Sequence, residues 1–151
     1  MYEELIDRGQ RCISVRWVVT PKLIEGEWKT KARLVARGFE ENSSQFRTDS
    51  PTCMRESIRI MLAISSSYGW KISTIDIKAA FLQGKLIDRD VFLKPPKEAE
   101  SQGKLCKLRK VVYGLTDASR VWYLRVFEEL KKLDVTVSIY DKATFVKRNS
   151  W

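Results

Sequence analysis

Residues 13–19, ISVRWVV, place Ile13, Val15, Trp17 and Val19 at every second position, and that period of two predicts a strand. Pro21 and Gly26 mark a turn at IEGE, and KTKARLVARGF (29–39) predicts a returning strand, so 13–39 reads as a hairpin. The same period sets Lys29, Lys31 and Arg33 on one face. Residues 40–51 are polar and loop-like. Ile58, Met61, Leu62 and Ser65 then recur at helical spacing and predict a helix from about Met54 to Tyr68, with Thr52 as N-cap and Gly69 as stop. WKISTIDIKAAFL (70–82) predicts a strand with Ile75 and Ile77 on one face and Ile72, Thr74 and Asp76 on the other. The small Ala79-Ala80 pair suits a tight turn or short helix directly after it.

VFLK (91–94) predicts a short strand ended by Pro95-Pro96, and LCKLRKVVYGL (105–115) is strand-like and basic. From about Ala118 to Leu133 the pattern is helical again. Tyr123, Phe127 and Leu130 form its stripe, Trp122 and Val126 flank it, and Thr116 or Asp117 could cap its start. VSIYDKATFVKRNSW (137–151) is weakly strand-like. No repeat or flexible linker divides the chain, and strands and helices interleave as in an α+β domain.

Histidine is absent, which excludes Ser-His-Asp and Cys-His nucleophiles, HExxH zinc sites and histidine general bases within these residues. Acid–base or metal chemistry falls to carboxylates, Lys or Tyr. Cys12, Cys53 and Cys106 are widely spaced with no CxxC pair, which argues against a zinc ribbon or a disulfide framework. No apolar run reaches membrane-spanning length, and MYEELIDRGQRC lacks the apolar core of a signal peptide. The expectation is a chain that is intracellular, cytoplasmic or particle-associated, and not secreted.

The 151 residues carry a net charge of +9, and the excess is localised. Residues 11–39 hold seven basic residues and two acids, and residues 104–132 hold eight basic residues and three acids. Two basic segments on a near-neutral body suggest a nucleic-acid or polyphosphate footprint. Two solvated faces on an ordinary basic domain are the plain alternative.

Asp76 is a single carboxylate inside an apolar strand, followed by a sharp turn and an aromatic residue. Such a group must be paired, exposed at an edge or bound to a cation. Two-metal nucleotidyl transfer uses a carboxylate at a rigid strand end to hold Mg²⁺ against nucleotide phosphates. A salt bridge with Lys71 or Lys78 is the plain alternative.

TKARLVARGF (30–39), STIDIKAAFLQG (73–84), VFLKPP (91–96), KLRKVVYGL (107–115) and ASRVWY (118–123) follow one another in an order and spacing that resembles the reverse transcriptase of copia-type LTR retrotransposons. The resemblance runs from about residue 13 to about residue 147. It implies a right-hand polymerase fold, with fingers at about 1–51 and 84–117 and a partial palm at about 52–83 and 118–151. It also implies Mg²⁺, or Mn²⁺, as cofactor, deoxynucleoside triphosphates as substrates, and an RNA or DNA template–primer as partner.

Residue by residue, Asp76 matches the family's first metal-binding aspartate, and Ile77 would lie under the incoming triphosphate. Phe81 matches the steric-gate aromatic, whose ring fills the space a ribose 2′-OH needs. Lys31 and Arg33 match the fingers cations that hold the triphosphate. Tyr113 and Gly114 open the segment carrying the templating-base helix, with Gly114 admitting the template backbone and Arg120 facing a template or primer phosphate. GLTDASRVWY departs from the commonest family spelling, GLKQAPRAWY, with Thr116 and Asp117 replacing Lys and Gln and Ser119 replacing Pro. Asp117 would set an acid beside nucleic acid.

The family's second catalytic element, a Y-x-D-D hairpin, would follow the SIYDKATFVK stretch, and no Asp-Asp pair occurs in the 151 residues. Asp141 falls where the family has a structural aspartate, while Asp88 and Asp90 sit in a polar turn. The expectation is therefore a fragment lacking the downstream palm, thumb and ribonuclease H regions, and inactive alone. A non-catalytic basic nucleic-acid-binding module and an inert transposon relic are the rival readings.

Overall fold

A computed structural model describes residues 12–42, 44, 46–99 and 104–147. The end of the carboxy-terminal strand-like stretch, 148–151, lies outside the described residues. The described part is a mixed α/β arrangement of seven short or hairpin strands and two α-helices.

The hairpin lies within the expected 13–39, but its strands run closer to the turn than their periodicity suggests. Strands β2 (Val15–Ile24) and β3 (Glu27–Ala36) pair antiparallel over all ten positions, from Val15 opposite Ala36 to Ile24 opposite Glu27. Glu25 and Gly26 form the turn, both with positive φ (53° and 81°). Two left-handed residues give the turn the twist that matches the strands. Pro21 is therefore not in the turn but within β2, opposite Thr30. Counting back from the two-residue turn places this pair where the ladder needs no N–H from β2, so a proline is tolerated.

Cys12–Ile13 (β1) leaves the hairpin and pairs parallel with Phe92–Leu93 (β4), which pairs antiparallel with Cys106–Lys107 (β5). Ser14 marks the break between β1 and β2, and its N–H and hydroxyl both donate to the Glu40 carboxylate at 2.7 Å. Helix α1 spans Arg55–Ser67 and α2 spans Ala118–Lys131. The last pair is β6 (Val135–Val137) with β7 (Phe145–Lys147).

The core is small and one-sided. Ile13, Ala36, Val91, Leu93, Val111, Leu115 and Ala118 are buried together at the base of the hairpin, beneath the three-stranded sheet and the start of α2. Helix α1 contributes no buried residue, and Ile58, Met61 and Leu62 on its apolar face are about half exposed. The periodicity of α1 is that of a core helix, and its face stays uncovered among the described residues.

Residues 70–77 differ from expectation. They form no ladder with any described strand, and Ile75 is 88% exposed. A strand is a paired state, and this segment has the alternation of one without the partner. Ala79 turns the chain in the left-handed region (φ 51°), and Ala80–Gln83 follows as a 3-10 turn.

Candidate nucleotide and template site

The ten-residue ladder decides which cations share a face. With Lys31 opposite Thr20, Arg33 opposite Val18 and Lys22 opposite Lys29, one face of the hairpin carries Arg16, Lys22, Lys29, Lys31 and Arg33. The opposite face carries Trp17, Val19, Pro21, Leu23, Trp28 and Leu34. A cavity of about 810 Å³ opens beside this basic face. Lys22, Lys31 and Arg33 line one wall together with Val15, Ala32, Leu34 and Ala36 of the other face; Asp76, Ile77, Lys78 and Ala79 line another; Leu82, Leu93, Val112 and Tyr113 complete it. Stretches distant in sequence thus meet around one volume. Lys29 is drawn toward Glu27 at 3.7 Å instead. Lys22 is not evident from local sequence, because locating it requires the cross-strand register set by the Glu25-Gly26 turn.

Asp76 is exposed and makes no hydrogen bond or ion pair with a described residue, so neither Lys71 nor Lys78 neutralises it. Its carboxylate remains free to meet a cation. Among the described residues no group of three or more carboxylate or thiol ligands lies together. One carboxylate does not make the clamp that two metals about 3.5–4 Å apart require. The donor set here does not fit a bound pair of Mg²⁺ ions.

Phe81 does not line the cavity. It packs against the core and meets the Tyr113 ring edge-on, with centroids 5.2 Å apart. It therefore reaches the cavity through Tyr113. Gly114 has φ +91°, and a Cβ there would run into the Ala36 carbonyl and the Val35 side chain. A Cβ at Gly38 would collide with the Gly114 carbonyl in turn. The two glycines let 36–38 lie against 113–115, joined by Ala36 N–H to Tyr113 O (2.8 Å) and Gly38 N–H to Gly114 O (3.1 Å). The close approach that demands glycine at 114 is that of the chain's own backbone, and it locks Tyr113 to the base of the hairpin.

Asp117 is turned inward rather than displayed on the surface. It is buried and receives a two-pronged pair of bonds from Arg89, Nη1 to Oδ2 at 2.7 Å and Nη2 to Oδ1 at 3.0 Å. Arg89 also donates from Nε to Glu41 at 2.8 Å, Thr116 donates its hydroxyl to Glu41, and the guanidinium lies 4.1 Å above the Phe46 ring. Burial alone would lower the Arg89 pKa, but the hydrogen bonds to Asp117 and Glu41 outweigh it and raise it. Two of the departures from the family spelling, Thr116 and Asp117, are thus absorbed into one network. Asp117 also sits at the N-cap position of α2 without capping it, because its carboxylate is committed to Arg89.

Arg120 projects from the first turn of α2 and donates from Nη1 to the Asp49 carboxylate at 3.0 Å and the Asp49 carbonyl at 3.1 Å. Thr52 is not the cap of α1. Met54 holds that position without a side-chain cap bond, and Asp141, from across the chain, accepts from the Met54 N–H at 2.9 Å. Hydrogen bonds from Ser57, the Met54 N–H and the Ala143 N–H hold its carboxyl well below the usual range, against the opposing effect of burial.

Over residues 4–150 the chain matches the model of a family described as reverse transcriptase (RNA-dependent DNA polymerase). It is 36% identical over 141 residues to a retrovirus-related Pol polyprotein from transposon RE1 of Arabidopsis thaliana, an alignment covering 89% of this chain and 10% of that protein. It is 33% identical over 154 residues to the Pol polyprotein from transposon TNT 1-94 of Nicotiana tabacum, covering 96% of this chain and 11% of that one. The chain spans about a tenth of the length of these relatives. No solved structure matches it. Among the described residues no helix is long and apolar enough to cross a membrane.

Proposed function

The chain belongs to the copia-type reverse transcriptase family, and from that premise we propose that its cavity is the nucleotide site of an RNA-directed DNA polymerase, of which this polypeptide supplies the fingers and the first part of the palm. The observation that carries the reading is the meeting of Lys22, Lys31 and Arg33 with Asp76 and Ile77 around one cavity. Lys31 and Arg33 would hold the triphosphate of a deoxynucleotide, Arg33 through paired N–H groups and Lys31 as a point charge. Asp76 would present one carboxylate to the Mg²⁺ that accompanies it, and Ile77 would form the floor.

The hairpin and the Tyr113-Gly114 segment belong to the fingers in this reading. Helices α1 and α2 and the β6–β7 pair belong to the palm. Phe81 would gate the sugar only indirectly, by setting the Tyr113 ring that lines the cavity. Two-metal chemistry needs more carboxylates than Asp76 alone supplies. These residues contribute the charge that receives the triphosphate, and a second carboxylate element must complete the clamp. Three unpaired cysteines fit an intracellular setting.

The test is binding of dATP with Mg²⁺ to the purified polypeptide by calorimetry. Lys31→Ala/Arg33→Ala should weaken it about 10- to 100-fold, the loss of two charge-assisted contacts to phosphate. Unchanged affinity in a folded double variant would overturn the assignment.

A further inference from the structure

We infer that Gln83 is a positioning residue for the wall of the cavity that holds Asp76: by gripping the Lys78 carbonyl, it fixes the turn that carries Asp76 and Lys78 to the cavity. The inference rests on the nucleotide-site reading above and deepens it, since it concerns how one wall of that site is held in place.

Residues 70–77 form no ladder, so no sheet sets the place of Asp76. The chain that follows is anchored. Phe81 packs against the core and its ring meets Tyr113. Gly84 is buried so closely against α2 that a Cβ there would come within 2.9 Å of the Val121 side chain. The Leu82 N–H donates to the Ala79 carbonyl at 2.9 Å, and the Gly84 N–H to that of Phe81 at 3.2 Å. Between this anchored turn and the unpaired segment stands Ala79, left-handed at φ 51° and ψ 41°. A residue with a Cβ keeps that conformation where its neighbours over-determine it. The Gln83 amide supplies a restraint, because its Nε2 donates to the Lys78 carbonyl at 2.7 Å, across the left-handed residue. Among the described residues no other side chain hydrogen-bonds to 70–78.

Asp76 and Lys78 both line the cavity, and neither is paired with a described residue. They present a carboxylate for a cation and an ammonium for a phosphate side by side. With Lys22, Lys31 and Arg33 across the cavity, four cations face one carboxylate. Gln83 does not line this cavity. It stands beside Ile77 in a separate groove against α2, with Trp122 and Val126. It therefore acts on a ligand through Asp76 and Lys78 and not by contact.

The experiment is calorimetry of dATP with Mg²⁺ on the purified polypeptide at about pH 8, run beside thermal unfolding. Gln83→Met keeps the length of the side chain and removes the N–H. It should weaken binding about 3- to 10-fold, the effect of one lost hydrogen bond read at the ligand. Tm should fall by less than about 4 °C, because the bond lies at the surface. Gln83→His restores an N–H at nearly the same reach, uncharged at this pH, and should recover most of the affinity. In an Asp76→Asn/Lys78→Gln background the wall has no charge left to place, so Gln83→Met should change affinity less than about 2-fold. Wild-type affinity in Gln83→Met would overturn the inference while leaving the nucleotide site standing. So would failure of Gln83→His to recover affinity, an equal loss in the neutralised background, or a Tm loss more than about twice that expected. The site is judged apart: wild-type affinity in a folded Lys31→Ala/Arg33→Ala variant removes it, and with it the wall that Gln83 places.

Discussion

Replacing Arg89 by methionine should destabilise the fold well beyond the range of an ordinary change at a partly exposed position. The guanidinium is the only cation bonded to the shielded carboxylates of Glu41 and Asp117 among the described residues, whose side chains are 10% and 7% exposed. Methionine keeps the stem over Phe46 but leaves two carboxylates facing one another. Removing one partner of a fully buried pair costs about 3–5 kcal/mol. The Arg89 side chain is 23% exposed, so some water already reaches the network, and we discount the loss to about 2–3 kcal/mol. For a chain of this size each kcal/mol moves Tm by about 2–4 °C, so the expected drop is about 5–10 °C. The assay is urea and thermal unfolding followed by tryptophan fluorescence. Neutralising both acids in the Arg89→Met background, with Glu41→Gln/Asp117→Asn, should recover part of the loss. The amides still need partners, so recovery stays incomplete. A loss under about 0.5 kcal/mol for Arg89→Met, the range of an ordinary surface change, would refute the reasoning. So would further destabilisation on neutralising the acids.

Gly114→Ala should cost about 2–4 kcal/mol, because it combines a positive φ with collision against the Ala36 carbonyl; wild-type thermal stability in that variant would contradict the junction described. Asp141 has a lowered folded-state pKa, so its stabilising effect is present above the ordinary carboxylate value of about 3.9 and is lost as pH falls through the lowered one. Asp141→Asn should therefore lower Tm at neutral pH, with the difference from wild type shrinking in strong acid; a pH-independent difference would remove the carboxylate from this role. The 151-residue polypeptide should give no primer extension that depends on Asp76, and extension lost in Asp76→Asn would mean that a further carboxylate completes the clamp. In a longer polypeptide that supplies a second carboxylate element, Phe81→Ala should raise ribonucleotide incorporation, and unchanged discrimination would reduce Phe81 to core packing.

Much of the fold is legible from local pattern. Both helices are read within two residues of their ends, because their periodicity runs for three to four turns. The hairpin is legible but the length of its strands is not. A proline reads as punctuation until the register shows that Pro21 occupies a position that needs no donor. Residues 70–77 read as a strand on side-chain alternation, yet pairing depends on a partner that alternation cannot supply. The long-range polar contacts are the least visible. Arg89 looks like one charge in a polar turn, and Asp117 like an intruder at a nucleic-acid surface. Only the fold brings them within 2.7 Å. Asp141 reaches the Met54 N–H at the start of α1 from 87 positions away in sequence, beyond any local capping signal. For the cavity, Lys31, Arg33, Asp76, Ile77 and Tyr113 follow from motif resemblance, and the register adds Lys22.

The two walls of the cavity differ in how firmly they are built. The cationic wall rests on a ladder of ten paired positions, whose base is fixed to Tyr113 and Gly114 through the glycine junction and to the core through Ala36. The opposite wall is Asp76 and Ile77, on a segment with no ladder hydrogen bonds and with an apolar neighbour, Ile75, in solvent. Precise placement of a catalytic carboxylate demands tolerances of about half an ångström, which paired strands provide and unpaired ones do not. Charge attraction is far less exacting, since it acts over the Debye length of about 10 Å at ordinary salt. On the proposed function, the polypeptide would gather polyphosphate before it could orient a metal. Recognition would then fall to a half that folds around its own core, and chemistry to a half whose strand-like segment and whose helix α1 both present apolar surface among the described residues.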